Sequence, residues 1–153
     1  MFDFDAENKT WVAMHHPFTA PRDQDLESLA TDPRGARAKA YDLIINGFEA
    51  GGGTIRIHKN STQQQVFGLL GLTEQQAKER FGFLLDALRL GAPPHGGIAL
   101  GVDRIVMLFG GLDNIRDTIA FPKNQRATDL MTEAPSLVDQ RQLEELSIRV
   151  AKS

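Results

Sequence analysis

One segment of the sequence has the residue types of a nucleotide site, and it reads Gly97-Ile98-Ala99-Leu100-Gly101-Val102-Asp103-Arg104. Alternate residues of a β-strand face the same way, so Gly97, Ala99 and Gly101 would leave one face almost without side-chain bulk. A flat nucleobase or ribose could lie there, and Arg104, in the first turn of a following helix, could bind a triphosphate. The same small residues could instead let a helix pack closely on the sheet, and the glycine pattern alone favours that interpretation.

Two carboxylates and an arginine form a second group, Asp42, Glu49 and Arg56. The carboxylates lie on either side of a predicted turn, so both could bind one Mg²⁺ on the phosphates of ATP. Arg56, between Ile55 and Ile57, could bind a substrate carboxylate through two parallel hydrogen bonds. Strict alternation would put Glu49 and Arg56 on opposite faces, so a shared pocket needs a β-bulge in the glycine run, or Glu49 before the strand. A Glu49–Arg56 salt bridge within an ordinary hairpin is the competing interpretation.

The third group is the loop His15-His16-Pro17-Phe18-Thr19. Adjacent histidines point in different directions, so this spacing is not that of a helical two-histidine metal site. Taken alone, the pair is structural or solvent-exposed, but a loop that also contains Thr19 suits a flap over a small-molecule site. No spacing singles out His58 or His95.

The composition is typical of one globular domain, and we expect the protein to be cytoplasmic. The 153 residues are 41% hydrophobic and 24% charged, with a net charge of -3 and no cysteine. No run approaches the roughly 20 apolar residues of a membrane span, and the acidic N-terminus is unlike a signal peptide, so we expect no membrane partner. Any metal must bind through oxygen or imidazole. The negative charge argues against a free-standing nucleic-acid-binding module.

The elements that must position these groups are predicted from turn signals and periodicity. Residues 41–47 form a predicted strand that ends in the turn signal Asn46-Gly47, and residues 54–58 a second one. Because Gly51-Gly52-Gly53 lies between them, we expect the pair to be joined through residues 46–53. Residues 1–20 are strand-like or irregular, and residues 21–39 are expected to be an exposed loop. A strand over 97–101 is predicted to lead into a helix over 102–109.

Two further helices have capping signals. Ser61 is the predicted N-cap of a helix that ends near Leu70, and Thr73 with Gln76 predicts a capping box on a longer one that ends at Gly91. The spacing in residues 136–150 is helical, and this tail either docks on the core or frays. The longer helix has an apolar packing face, made of Ala77, Phe81, Leu84, Leu85 and Leu88.

Five segments, in this order, resemble the class II aminoacyl-tRNA synthetases, and specifically the bacterial aspartyl family. They are MHHPFT, YDLIINGFEAGGGTIRIH, FGFLLDALRLGAPPHGGIALGVDR, DNIRDTIAFPKN and LMTEAPS, and the likeness covers nearly the whole chain. The resemblance implies an α+β fold that holds part of the class II antiparallel sheet flanked by helices. Residues 1–136 would be the C-terminal part of the catalytic domain and residues 137–153 a helical tail. The family makes aspartyl-adenylate from L-aspartate and ATP and transfers the aspartyl group to tRNA(Asp).

The resemblance also implies site residues. His15 and His16 would contact L-aspartate, and Arg56 would bind its side-chain carboxylate. Asp42 and Glu49 would bind the Mg²⁺ of ATP. ATP itself would contact Glu49 and the residues of the third class II motif, Gly101, Val102, Asp103 and Arg104. No catalytic base is implied, because the attacking carboxylate is already an anion at neutral pH.

The sequence contains neither the first class II motif, which forms the dimer interface, nor the Phe-Arg-x-Glu segment of the second. We therefore expect that this chain alone does not aminoacylate, and that the homodimer belongs to the full-length enzyme. An exposed sheet edge or apolar patch should remain where further strands would pair. Two alternatives stay open: a non-catalytic synthetase-derived binding module, and a ligase relative that makes an amino-acid amide through an adenylate.

Overall fold

The computed structural model describes residues 1–151, and the chain divides into two compact units. The first unit is Met1–Gly101, and the second begins at Val102. The first unit contains antiparallel sheets with helices beside them, so the expected α+β class is confirmed. None of the helices within residues 1–151 is long and apolar enough to cross a lipid bilayer.

A hairpin opens the first unit, with β1 at Phe2–Asp5 paired antiparallel to β2 at Thr10–Ala13. The two strands confirm the strand-like character of the N-terminal residues. Phe4 and Trp11 lie opposite each other, with their rings in edge-to-face contact at 5.2 Å between centroids. The first residue of β1 enters an apolar core cluster, which consists of Phe2, Leu29, Ala36, Ile57 and Val66.

The segment 21–39 is irregular, as expected, apart from one turn of 3-10 helix at Asp23–Asp25. The expectation that it is exposed throughout is wrong, because Leu29 is fully buried and Ala36 is 2% exposed. Both residues lie in a stretch rich in Asp, Arg and Pro, which is the composition that predicted an exposed loop. The core cluster that they enter comes from distant parts of the chain.

The main sheet has three strands in the order β3-β4-β5, all antiparallel. They are β3 at Ala40–Ile45, β4 at Phe48–Ile55 and β5 at Gly96–Leu100. Asn46 and Gly47 form the turn between β3 and β4, with φ angles of 50° and 83°. Two positive φ angles are what a tight two-residue hairpin requires, so this turn signal is confirmed.

The glycine run is part of β4 and not of the connection, so the expected joining segment 46–53 is wrong. A Cβ atom on Gly53 would meet the Gly97 carbonyl oxygen and the Tyr41 ring, and one on Gly51 would meet the Ala99 carbonyl oxygen. The Tyr41 hydroxyl donates a hydrogen bond of 2.8 Å to the same Gly97 carbonyl. Glycine is therefore required here by close approach of neighbouring strands and not by a turn.

A register shift between Leu43 and Ile44 puts an extra residue into β4. Leu43 pairs with Gly51 and Ile44 pairs with Glu49, so Ala50 is the extra residue of a β-bulge. Directly opposed residues share a face of the sheet. The bulge therefore puts Glu49 on the same face as Ile44. From the sequence, a shared pocket for Glu49 and Arg56 needs such a bulge, or Glu49 before the strand. The bulge lies beside the glycine run and not in it.

Two helices follow the sheet strand β4 along the chain. Helix α1 spans Asn60–Leu69 and α2 spans Glu74–Leu90. The capping box of Thr73 and Gln76 on α2 is confirmed. The predicted cap at Ser61 is wrong, since the N-cap position of α1 is Lys59 and no side chain caps it.

The predicted apolar face of α2 packs on α1. Helix α2 is interrupted at Phe81, whose φ of -132° is not helical. There the Phe81 ring stacks on Phe67 of α1 at 5.0 Å and meets Phe18 edge-on at 5.4 Å. The loop that carries the histidine pair is thus held against both helices by an aromatic cluster.

The second unit contains α3 at Val102–Phe109, as predicted, a short 3-10 helix at Ile115–Thr118, and α4 at Gln140–Glu145. Between residues 137 and 151 the tail is helical only over α4. Its apolar side chains Leu137, Val138, Leu146 and Val150 are exposed. Residues 152 and 153 of the predicted tail lie outside the described residues.

Candidate functional site

Three strands place small and polar residues side by side on one face of the main sheet, which we call the cavity face. Arg56 follows Thr54 by two residues in the extended chain, so it belongs to the same face. A cavity of about 390 Å³ opens there, within the size range of small-molecule sites. Two rows of cross-strand neighbours form its floor, Asp42-Gly52-Ala99 and Ala40-Thr54-Gly97.

The cavity brings together predicted site residues from three parts of the sequence. His15 and His16 come from the loop after β2, Asp42 from β3, and Arg56 from the extension of β4. Among the described residues that line this cavity, Arg56 is the one arginine and Asp42 the one carboxylate. The residues of the glycine-lined ledge, Gly97 and Ala99, line the same cavity.

The ledge is open at Gly97, where nothing lies within 4 Å of an added Cβ atom. At Gly52, in contrast, an added Cβ atom would lie 2.8 Å from the Asp42 Oδ1 atom. The missing side chain at Gly97 therefore leaves room for a ligand, whereas Gly52 leaves room for the Asp42 carboxylate. The sequence does not show this distinction, because the neighbours of each glycine come from other strands.

The Arg56 guanidinium is held by the histidine loop. Its Nη1 atom lies 3.0 Å from His16 Nδ1, and the other ring nitrogen, Nε2, lies 3.3 Å from the Thr54 hydroxyl. The backbone N–H of Phe18 also points to His16 Nδ1, at 3.2 Å. Burial of the ring lowers the pKa of His16 below its ordinary value, and the positive charge of Arg56 lowers it further, with a smaller effect of His15.

Gln63 of α1 supports this loop, and the sequence did not single it out. Its side chain is fully buried, and its Nε2 atom donates a hydrogen bond of 2.8 Å to the Pro17 carbonyl. The signal that could have found it is helical spacing: Gln63 stands with Val66, Phe67 and Leu70 on what is otherwise the apolar face of α1. A polar residue at such a position is expected to have a specific partner.

Asp42 and Glu49 lie on the same face because of the bulge at Ala50. Asp42 is two residues from Ile44, the cross-strand neighbour of Glu49, so the two carboxylates are diagonal neighbours. Diagonal carboxylates on one face fit a cation that takes its remaining oxygen ligands from phosphates and water. The described residues contain no cluster of three or more potential metal ligands, and Glu49 is not among the residues that line the cavity.

The residues predicted for the ATP tail follow the end of β5. Gly101 closes the first unit, where its backbone N–H donates to the Ala50 carbonyl at 2.9 Å. Val102, Asp103 and Arg104 form the first turn of α3 in the second unit. Arg104 is half-buried, whereas Val102 and Asp103 are exposed.

Comparison with known proteins identifies the family. The sequence model of the class II tRNA synthetases (D, K and N) matches residues 3–125, which is well over half of the chain. The chain belongs to this family. The matched range, residues 3–125, includes every residue assigned to the site, from His15 to Arg104.

Similar class II synthetases share sequence across the full extent of the chain. The chain is 64% identical over 153 residues to an aspartate–tRNA(Asp/Asn) ligase of Rhodopirellula baltica, and 58% identical over 150 residues to an aspartate–tRNA ligase of Staphylococcus carnosus. The first match covers 100% of this chain and the second covers 98%. In both cases the chain spans 26% of the length of the relative. The resemblance to bacterial aspartyl-tRNA synthetases is therefore confirmed.

A solved class II synthetase structure has the same fold in this region. The aspartyl tRNA synthetase from Entamoeba histolytica superposes with a TM-score of 0.57 at 25% sequence identity. The match covers 75% of this chain and 21% of that one.

Proposed function

We propose that this chain provides the L-aspartate site, and part of the ATP site, of an aspartate–tRNA ligase. The observation that carries the proposal is the position of Arg56, which lines one cavity together with His15, Asp42 and the open ledge at Gly97. A guanidinium beside an unobstructed flat surface suits an amino acid joined to a nucleotide. Similarity to aspartate–tRNA ligases over the whole chain supports the same substrate class.

Arg56 would bind the side-chain carboxylate of L-aspartate. A guanidinium pairs with a carboxylate through two parallel N–H···O bonds, and an amide cannot reproduce that pattern because it presents N–H donors of its own. L-asparagine would therefore leave the half-buried guanidinium poorly paired, at a cost of about 2–5 kcal/mol. His15 and His16 would close this end of the site as parts of the loop above Arg56.

ATP would lie along the ledge, with Glu49 and Gly101 as further contacts in the first unit. For Val102, Asp103 and Arg104 of the second unit, a role in binding the ATP tail is what the family resemblance implies. Asp42 and Glu49 would bind Mg²⁺, and the bound ion supplies neutralisation of phosphate charge during adenylate formation. No side chain is needed as a base, because the attacking carboxylate is ionised at neutral pH. What the chain itself contributes is alignment of the carboxylate with the α-phosphorus and compensation of charge.

Transfer to tRNA(Asp), cytoplasmic location and a homodimer belong to the proposal for the full-length enzyme. The chain spans 26% of its relatives, and neither the first class II motif nor the Phe-Arg-x-Glu segment of the second occurs in its sequence. Binding of L-aspartate and ATP by this chain, and formation of aspartyl-adenylate by this chain, are therefore separate expectations. We expect the first and not the second.

The test uses two measurements on the chain as it stands. Titration calorimetry with a non-hydrolysable aspartyl-adenylate analogue should show saturable binding that weakens strongly in the asparaginyl analogue. Aspartate-dependent ATP–pyrophosphate exchange should stay at background. Binding without exchange is also what a synthetase-derived binding module would give, and exchange near the rate of a full-length synthetase would overturn the expected inactivity. Equal affinity for both analogues would overturn the role of Arg56.

A further inference from the structure

The hydrogen bonds around His16 determine which of its ring nitrogens carries the proton. Nδ1 lies 3.0 Å from Arg56 Nη1 and 3.2 Å from the backbone nitrogen of Phe18. Both of these groups are donors only, since an arginine side chain is always protonated and offers no acceptor. Nδ1 is therefore the acceptor for these two donors, and in the neutral ring the proton lies on Nε2. The Thr19 hydroxyl, 3.2 Å from Nδ1 and 3.4 Å from Nε2, can donate or accept and fits the same assignment.

The other side of the ring fits this assignment. Nε2 lies 3.3 Å from the Thr54 hydroxyl, which can accept the Nε2–H and is itself only 8% exposed. A protonated ring would place a second N–H against the Arg56 guanidinium and add a like charge 3.0 Å away. The arrangement is thus compatible with the neutral imidazole and incompatible with the imidazolium.

The loop that holds His16 is fixed from α1. Gln63 donates to the Pro17 carbonyl at 2.8 Å, and its Oε1 atom, although buried, has no hydrogen-bond partner among the described residues. Leaving a buried acceptor unpaired is unfavourable. The hydrogen bond from Gln63 Nε2 is thus the one that its amide makes within residues 1–151, and it fixes Pro17, the residue directly after His16.

We propose that His16 is a positioning residue: with Nδ1 unprotonated it holds Arg56 Nη1, and so directs the remaining guanidinium N–H groups into the cavity, while Gln63 fixes the loop through Pro17. This inference rests on the proposed aspartate site and changes the role of His16 in it. His16 supports L-aspartate binding by orienting Arg56. It does not contact the substrate carboxylate as an imidazolium.

The positioning role has a pH signature that direct contact does not share. The charged and titratable groups around the ring are Arg56 directly after β4, His15 beside it in the loop, and Asp42 on the cavity floor. The carbonyl of His95 accepts the Arg56 backbone N–H, and His95 does not line the cavity. Helix α1 presents the uncharged Gln63. Protonation of His16 releases Arg56, so aspartate binding should weaken as the pH falls. An imidazolium that contacted the substrate carboxylate would strengthen binding instead.

The first experiment needs neither a variant nor a ligand. Long-range ¹H–¹⁵N correlation spectra of the histidine side chains in this chain, recorded from pH 8 to 5, report tautomer and protonation for each ring. We expect His16 to be the Nε2–H tautomer and to become protonated only below the ordinary histidine pKa of about 6.5. An Nδ1–H tautomer or an imidazolium at neutral pH would overturn the proposal, whether or not L-aspartate binds.

The second experiment measures L-aspartate affinity by calorimetry between pH 8 and 5.5, where the charge of its carboxylates is constant. Affinity should fall with the pH in the wild type. His16→Leu should lose about tenfold in affinity at pH 8, whereas His16→Asn, which keeps an acceptor near the Nδ1 position, should stay within about threefold. Gln63→Met should weaken binding in the same direction as His16→Leu.

His58→Asn is the matched control and should leave both the affinity and its pH dependence unchanged. Equal losses in His16→Asn and His16→Leu, or affinity that rises at low pH, would contradict the positioning role. If no variant and no wild-type sample binds L-aspartate, the proposed function fails, and the tautomer measurement still decides the His16–Arg56 contact.

Discussion

Arg56 carries its charge into a cavity whose other walls are mainly small or uncharged residues. The shape of the guanidinium matters there as much as its charge, because its Nη1 atom lies 3.0 Å from His16 Nδ1 while the same side chain lines the cavity. We therefore expect Arg56→Lys to weaken L-aspartate binding by about tenfold or more, since an ammonium cannot make both contacts. Calorimetry on the folded chain measures this, and Arg89→Lys, an exposed site on α2, should bind as the wild type does.

Two glycines of the main sheet give opposite predictions for the same substitution. Gly53→Ala should lower the free energy of unfolding by about 1–3 kcal/mol, because its methyl group meets the Gly97 carbonyl and the Tyr41 ring. Gly97→Ala has open space and should change it by less than about 0.5 kcal/mol. Yet Gly97→Ala puts a methyl group on the ledge and should weaken binding of the aspartyl-adenylate analogue. Urea unfolding with calorimetry separates the two effects, and a stability loss in Gly97→Ala equal to that in Gly53→Ala would contradict this geometry.

His16 also makes stability depend on pH. Its pKa is lowered in the folded chain, chiefly by burial and then by Arg56, so the unfolded chain binds more protons as the pH falls through about 6.5, the ordinary histidine value. The stabilisation is present above that value and is lost as the pH falls through the folded pKa. Urea titrations between pH 7 and 5 should show a smaller decline in His16→Asn than in the wild type. An identical decline in both would show that His16 contributes nothing to it.

At the scale of the element, the two helices of the first unit begin differently. Helix α2 has a full capping box, in which the Thr73 hydroxyl accepts from the Gln76 backbone N–H and the Gln76 side chain accepts from the Thr73 N–H. Thr73→Ala should therefore lower the free energy of unfolding by about 1 kcal/mol. Ser61→Ala in α1 is the control, because Ser61 lies inside that helix and caps nothing. Equal effects in urea unfolding would contradict the assigned helix starts.

At the scale of the whole molecule, the far face of the main sheet is apolar and partly open. Cross-strand register puts Tyr41, Leu43, Ile98 and Leu100 on this face, opposite the cavity, and each is between 37% and 52% exposed. Strands β3 and β5 also each have one side without a strand neighbour in the described residues. The sequence-based expectation of an exposed edge or apolar patch is thus confirmed.

We expect this surface to cause self-association of the chain, since exposed edges and large apolar patches are typical sites of aggregation. Leu100→Lys should lower the associated fraction measured by light scattering at a given concentration. Phe83→Lys is the control, because Phe83 is 91% exposed on α2 but isolated from the sheet. A wild-type chain that stays monodisperse and monomeric at high concentration would contradict this prediction.

The features that were predictable from the sequence depend on neighbouring residues. Asn46-Gly47 forms the predicted turn, Thr73 and Gln76 the predicted capping box, and the helix over 102–109 has the predicted bounds. The identity of Arg56 as a cation within an apolar strand was also enough to nominate it for the cavity that it lines.

The features that escaped prediction depend on contacts between distant parts of the chain. Leu29 is buried in one core cluster with Phe2 and Ile57, which are distant from it in the sequence. The glycine run looked like a connection because glycine is common in turns, whereas here it lies opposite Tyr41 and β5. The anchoring role of Gln63 needs the Pro17 carbonyl, which is 46 residues away.

The bulge at Ala50 makes the strand tolerant of shortening and intolerant of lengthening. Deleting Ala50 would leave Leu43 opposite Gly51 and Ile44 opposite Glu49 in a regular ladder, so the acidic residue and Arg56 would keep their common side. Inserting one residue has no such reserve. If the bulge is kept, the acid turns to the opposite surface, and if the ladder becomes regular, the acid moves two positions along β3, from Ile44 to Asn46 of the turn. In this stretch, relatives and engineered variants should accept a one-residue gap far more readily than a one-residue insertion.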